Sequence, residues 1–255
     1  MRKLLNGIIV STLLFMASCD ADDYTQVVTV SATSDGIIKD KNNFYQFENS
    51  DIKVVYSFWG DRGILGFRAI NKTDHPIYID WKKSSLINNG KQMPYYTNKT
   101  TSNYIQYGQA YGSAWDTSFG RYGYGSSRSS STIQGSETVV KQERTTFIPP
   151  QSYIDHAFYD LTANIYFDVN SRDTKKDVVN GVEAYVSTST YDIAFRNYIT
   201  YSESEDFTTE KHVDNGFRIG KVYTIPTSSF DDSWEKPSRF YITRLTDVIF
   251  EKTRL

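Results

Sequence analysis

The 255-residue chain has one cysteine, Cys19. An internal disulfide is excluded, so the fold must rest on a packed core. Histidine is scarce as well. His75, His156 and His212 are the only three, and no two have the spacing of a helical metal pair. No Gly-x-Ser-x-Gly elbow occurs, and the single thiol lies near the N-terminus. Nucleophilic hydrolysis therefore has no candidate residue in the sequence. Positive charge is not in excess: 28 Lys and Arg against 30 Asp and Glu give a formal net charge of -2. A nucleic-acid partner is not expected from that balance. Long windows with apolar residues at helical spacing are missing downstream of residue 19.

What is present begins at the N-terminus. Arg2 and Lys3 precede an apolar run, Leu4 to Met16, too short to span a bilayer comfortably. Ala17 and Ser18 then stand directly before Cys19. This arrangement resembles the lipobox of bacterial lipoproteins, with Met16 departing from the usual Leu. The resemblance implies a signal peptide over residues 1–18 and a lipid on the Cys19 thiol. Cleavage would leave 237 residues and, without Arg2 and Lys3, a formal charge of -4. Each methylene buried in a bilayer contributes ~0.8 kcal/mol, so acyl chains at Cys19 would anchor the protein to a membrane. Asp20, Asp22 and Asp23 follow at once. That acidic run resembles the export signal of surface-exposed lipoproteins of Bacteroidetes-type bacteria. It implies the cell surface, with the periplasmic face of the outer membrane as the alternative. Residues 19–25 are then a lipidated linker, and 26–255 one domain.

The rest reads as strands. Tyr, Phe, Thr, Val and Ile are abundant, and turn residues interrupt them at short intervals. In "DIKVVYSFW", Ile52, Val54, Tyr56 and Phe58 fall on one face. In "ILGFRAI", Leu65, Phe67 and Ala69 do the same. Asn89-Gly90 predicts a tight hairpin turn. "NSRDTKKDVVNG", Asn170 to Gly181, reads as a charged loop. "GFRIGKVYTI" places Phe217, Ile219, Lys221 and Tyr223 on one face by strict alternation. The expectation is an all-β, single antiparallel β-sandwich, immunoglobulin-like, of about ten strands. A long Gly/Ser/Tyr-rich insert at about 97–137 would interrupt it.

The ordered pieces "FRAINKTDHPIYIDWKKSSLINNGKQMPYY", "FIPPQSYI", "FRNYITYS" and "PSRFYI" resemble a group of uncharacterised Bacteroidetes lipoproteins. The resemblance covers most of the mature chain, and its motifs are structural. It implies secretion, lipidation and a β-sandwich, and it transfers no activity.

Among polar clusters, Asp155, His156 and Asp160 are close in sequence, but 155 and 156 would face opposite ways on a strand. "SESEDF" (Ser202 to Phe207) and "FDDSWE" (Phe230 to Glu235) read as solvated acidic turns, and Asp80 as a loop-capping or edge acid. No catalytic residue, metal site or cofactor is expected. The insert holds aromatics at a four-residue beat, Tyr107, Tyr111, Trp115 and Phe119, followed by Tyr122 and Tyr124. Glycines 108, 112 and 120 oppose a helix there by ~1 kcal/mol each. These six rings are the candidate ligand contacts, since Tyr and Trp offer large contact area with few torsions to freeze. The functional expectation is a non-catalytic binding module for a glycan or an envelope partner. An assembly component on the periplasmic face and, more remotely, a glycosidase-like hydrolase are the alternatives.

Overall fold

The structure is a computed structural model. It describes residues 24–96, 143–162, 167, 174–187 and 191–243. Cys19 and the six insert aromatics, Tyr107, Tyr111, Trp115, Phe119, Tyr122 and Tyr124, lie outside the described residues.

Among the described residues, fifteen strands form two antiparallel sheets, more than the ten or so expected. In chain order they are β1 (Tyr24–Ala32), β2 (Ile37–Lys39), β3 (Tyr45–Glu48), β4 (Ile52–Ser57), β5 (Ile64–Asn71), β6 (Ile77–Asp80), β7 (Ser85–Asn88) and β8 (Lys91–Pro94). Then come β9 (Thr145–Ile148), β10 (Tyr153–Asp160), β11 (Thr174–Val179), β12 (Val182–Ser187), β13 (Ala194–Ser202), β14 (Lys211–Pro226) and β15 (Arg239–Thr243). The smaller sheet has the order β10-β5-β4-β3-β2, and the other ten strands make the larger one. Part of the higher count comes from β1, β2 and β11, where no strand was expected. β6 and β7 both pair with β13 and are separated by a short turn, where Ser84 Oγ accepts the Thr200 N–H at 3.0 Å.

β14 organises the larger sheet. Its 16 residues pair with β13 over Lys211–Arg218 and with β12 at Tyr223 and Thr224. Its other edge carries β1 from Phe217 to Pro226. The strict alternation expected for this segment breaks. Between Ile219 and Val222, two residues of β14 face the single Thr29 of β1, a bulge. Phe217, Ile219 and Val222 therefore face the core, Lys221 turns to solvent, and Tyr223 lies on the opposite face. The extra residue spares the core a lysine, which could not be buried unpaired.

The core between the sheets is aromatic. Ile52, Val54, Tyr56 and Phe58 of the smaller sheet face it as the alternation predicts, with Leu65, Phe67 and Ala69 beside them. Phe195 and Phe217 answer from the larger sheet. A buried polar chain crosses between the sheets. The Tyr56 hydroxyl accepts from Asn215 Nδ2 (2.8 Å) and Asn197 Nδ2 (3.2 Å), and Tyr95 Oη donates to Asn197 Oδ1 (2.6 Å). Burial pushes the Tyr56 and Tyr95 hydroxyls well above their ordinary range, so both stay neutral.

One segment departs from its expected state. Residues 174–179, read as charged loop, form edge strand β11. Lys175, Lys176 and Asp177 are exposed, and such charge is common on edges, where it opposes pairing with other chains. β1 shows the same limitation: close behind the acidic run, it carries no expected strand, yet it lies between β14 and β15.

Gly63 is fixed by two constraints at once. Its φ is +71°, and an added Cβ would lie 2.8 Å from Phe240 Cγ in the core. Gly63→Ala is expected to cost about 2–4 kcal/mol, combining left-handed strain with overpacking. Urea denaturation checks it; a loss below about 1 kcal/mol would contradict this packing.

Candidate functional site on the outer face of the larger sheet

Strand register brings four strands' outward side chains together. Tyr198 of β13 lies opposite Ser85 of β7 and Asp214 of β14. Arg196 lies opposite Ile87, which in turn pairs with Gln92 of β8. Because side chains alternate, Phe195, Ile199, Leu86 and Val213 point into the core while these point out. The outward set lines a concavity of about 340 Å³, with Lys83 and Gly90 completing the wall.

The site's chemistry is a ring face bordered by planar hydrogen-bonding groups. Tyr198 and His212 stack with centroids 5.2 Å apart and 24° between planes. Arg196 Nη1 donates to Asp214 Oδ2 at 2.7 Å, and both side chains keep contact with water. Lys83 pairs with Glu210 at the margin. Gln92 Nε2 donates to Ser85 Oγ at 3.4 Å. Among the described residues, Asp214 is the one carboxylate lining the concavity, and Arg196 already engages it.

The clusters considered from sequence do not assemble into a reaction centre. Asp155 forms a bidentate pair with Arg68 (2.7 and 2.9 Å), which stacks over Tyr153. His156 turns the other way, 4.1 Å from the Trp81 ring centroid, and burial pushes its imidazole down to about 3. Asp160 faces Arg62 at 3.2 Å. Asp231 accepts from the Ser233 N–H at 2.9 Å, and Asp206 accepts from the Thr208 N–H at 3.2 Å, so both acidic runs hold turns. Asp80 likewise accepts from the Lys82 N–H and binds Arg144 at 2.9 Å. Among the described residues, no three His, Cys, Asp or Glu side chains are grouped to hold a metal.

A second charged assembly lies where the β3–β4, β5–β6 and β13–β14 connections meet. Lys211 bridges Asp51 (2.6 Å) and Glu203, and Tyr201 Oη donates to Asp51 Oδ2 at 3.2 Å. The hydrogen bond from Lys211 holds Asp51 and Glu203 below the usual carboxylate range. His75 stands between Asp74 (2.9 Å) and Glu203 (3.2 Å), which raise its pKa. A group raised on folding contributes stability that is complete below its unfolded value, ~6.5, and lost as pH climbs through the folded value. Thermal stability is therefore expected to fall as pH rises above ~6.5, and His75→Gln to flatten that slope. Equal slopes in both chains would contradict the assignment. His75 is exposed enough for salt to weaken the effect.

The sequence reading missed the concave face because its members span residues 83 to 214. The available signal was local: Arg196 and Tyr198 alternate with Phe195 and Ile199 along one strand, which sets them on its outward phase.

Comparison of the chain with protein-family models, with curated proteins and with solved structures found no match. Its class therefore rests on the fold, an all-β protein of two antiparallel sheets.

Proposed function

We propose that the chain is a lipid-anchored outer-membrane protein, displayed at the cell surface, that holds a glycan on the concave face of its larger sheet. Its role in this reading is binding without catalysis. The observation that carries it is the outward ring of Tyr198 beside Arg196, Asp214 and Gln92 in the concavity. A sugar ring presents C–H groups to an aromatic face and hydroxyls to its edge. Arg, Asp and Gln supply the matching donors and acceptors. Retaining and inverting glycosidases need two carboxyl groups roughly 5–9.5 Å apart, and among the described residues Asp214 is the one carboxylate that lines this concavity. The immunoglobulin-like reading of the sandwich draws on its two antiparallel sheets about one core.

The position of the site suits a ligand in the medium that the domain faces. β14 runs from Asp214 in the concavity to Pro226, opposite Tyr24, the start of β1. At ~3.3 Å per residue, about 40 Å of strand separate the site from the end nearest Cys19. A lipid at Cys19 would thus leave the site pointing away from the bilayer. Protease treatment of intact cells tests the address. Digestion before the outer membrane is opened is the expected result; protection until it is opened would place the protein on the periplasmic face.

A further inference from the structure

The end of the domain nearest Cys19 carries a hairpin of its own. Tyr24 pairs with Pro226, and Thr25 with Thr243 of β15. On the opposite edge of β14, Tyr185 pairs with Thr224 and Val186 with Tyr223. Since β12 is antiparallel to β14, Val182 comes level with Thr227, one residue past Pro226. The Asn180-Gly181 turn, with φ of 53° and 78°, lies further out. The β11–β12 hairpin thus projects beyond the level of Tyr24.

Only four residues, Asp20 to Asp23, separate Cys19 from Tyr24. At 3.3–3.6 Å per residue, the span from Cys19 to Tyr24 is at most roughly 18 Å in any conformation. A bilayer holding Cys19 is therefore close to the end of the sheet from which the hairpin projects. Val178, beside the tip, is 69% exposed, the most exposed of the large apolar side chains among the described residues. Lys176 shares its face of the strand, with Nζ 5.2 Å from the Tyr185 ring centroid and paired with Glu183, which lies opposite Val178. Valine, tyrosine and lysine suit the membrane interface, where apolar stems enter and the ammonium stays wet. Val179 and Val182, on the other face, pack against the small cluster of Val27, Trp59, Ala184, Ile225 and Trp234, which ties the hairpin to the sheet.

We propose that this hairpin rests on the lipid surface and sets the tilt of the domain above it. The inference depends on the lipid-anchor reading. The test is amide exchange of residues 174–187, read by mass spectrometry, on the acylated chain in phosphatidylethanolamine/phosphatidylglycerol vesicles. The Cys19→Ala chain, mixed with the same vesicles, is the reference. Severalfold slower exchange around Val178 is expected in the acylated chain only. Val178→Asp in that chain should restore fast exchange while the protein still sediments with the vesicles. Equal hairpin exchange in the acylated and Cys19→Ala chains would overturn this inference and leave the anchor standing. A chain whose intact mass shows no acyl group at Cys19 would overturn both.

Discussion

Phe217→Ala is expected to lower the unfolding free energy by about 3–5 kcal/mol, the usual range for deleting a buried phenyl ring. Phe217 is fully buried, with the rings of Tyr56, Phe58, Phe195 and Tyr45 at 4.9, 5.0, 5.6 and 5.7 Å. Most of these contacts are edge-on, the geometry in which ring quadrupoles attract. The ring joins both sheets, so its loss opens a cavity that neither sheet can close alone. Domains of this size retain only about 5–15 kcal/mol in total. The variant should therefore be partly unfolded or close to it at physiological temperature. Phe147→Ala is the control: Phe147 is 58% exposed, and its loss should stay within about 0.5 kcal/mol. Urea midpoints with unchanged slopes measure both. Similar losses at the two positions would contradict a single aromatic core between the sheets.

The second large effect concerns binding. Tyr198→Ala removes the outward ring from the concavity while leaving the inward Asn197 and Ile199 untouched. Loss of a central aromatic contact of ~1–2 kcal/mol corresponds to roughly 5–30-fold weaker glycan affinity. Stability should hardly change, because the side chain is only partly buried. Arg196→Lys keeps the charge but loses the planar fork, so a smaller loss in the same direction is expected. Calorimetric titration separates binding from folding. Weakened binding accompanied by an equal fall in melting temperature would mark Tyr198 as a structural residue.

Much of the frame was legible because local rules acted alone. The face shared by Ile52, Val54, Tyr56 and Phe58 follows from strand periodicity. The β7–β8 hairpin follows from Asn89-Gly90, whose φ values are 48° and 79°. Asp80 caps a turn, one of the two structural roles expected of it. Other features depend on partners remote in sequence. The bulge at Gly220 and Lys221 requires glycine at 220 because Thr29, nearly two hundred residues away, fills the space a Cβ there would need, at 2.6 Å. β11 carries charge on an edge, where burial cannot mark it as a strand. The concave face is the extreme case. Ser85, Gln92, Arg196, Tyr198 and Asp214 become neighbours only through the register of β7, β8, β13 and β14.

The central claim is that this face, and Tyr198 within it, holds a glycan. Its most direct test is a glycan array probed in parallel with the mature chain and with its Tyr198→Ala variant, both checked for the same melting temperature. The account predicts a restricted set of bound oligosaccharides for the mature chain and loss of that set for the variant. An empty array for the mature chain, or the same set at the same strength for both, would contradict it.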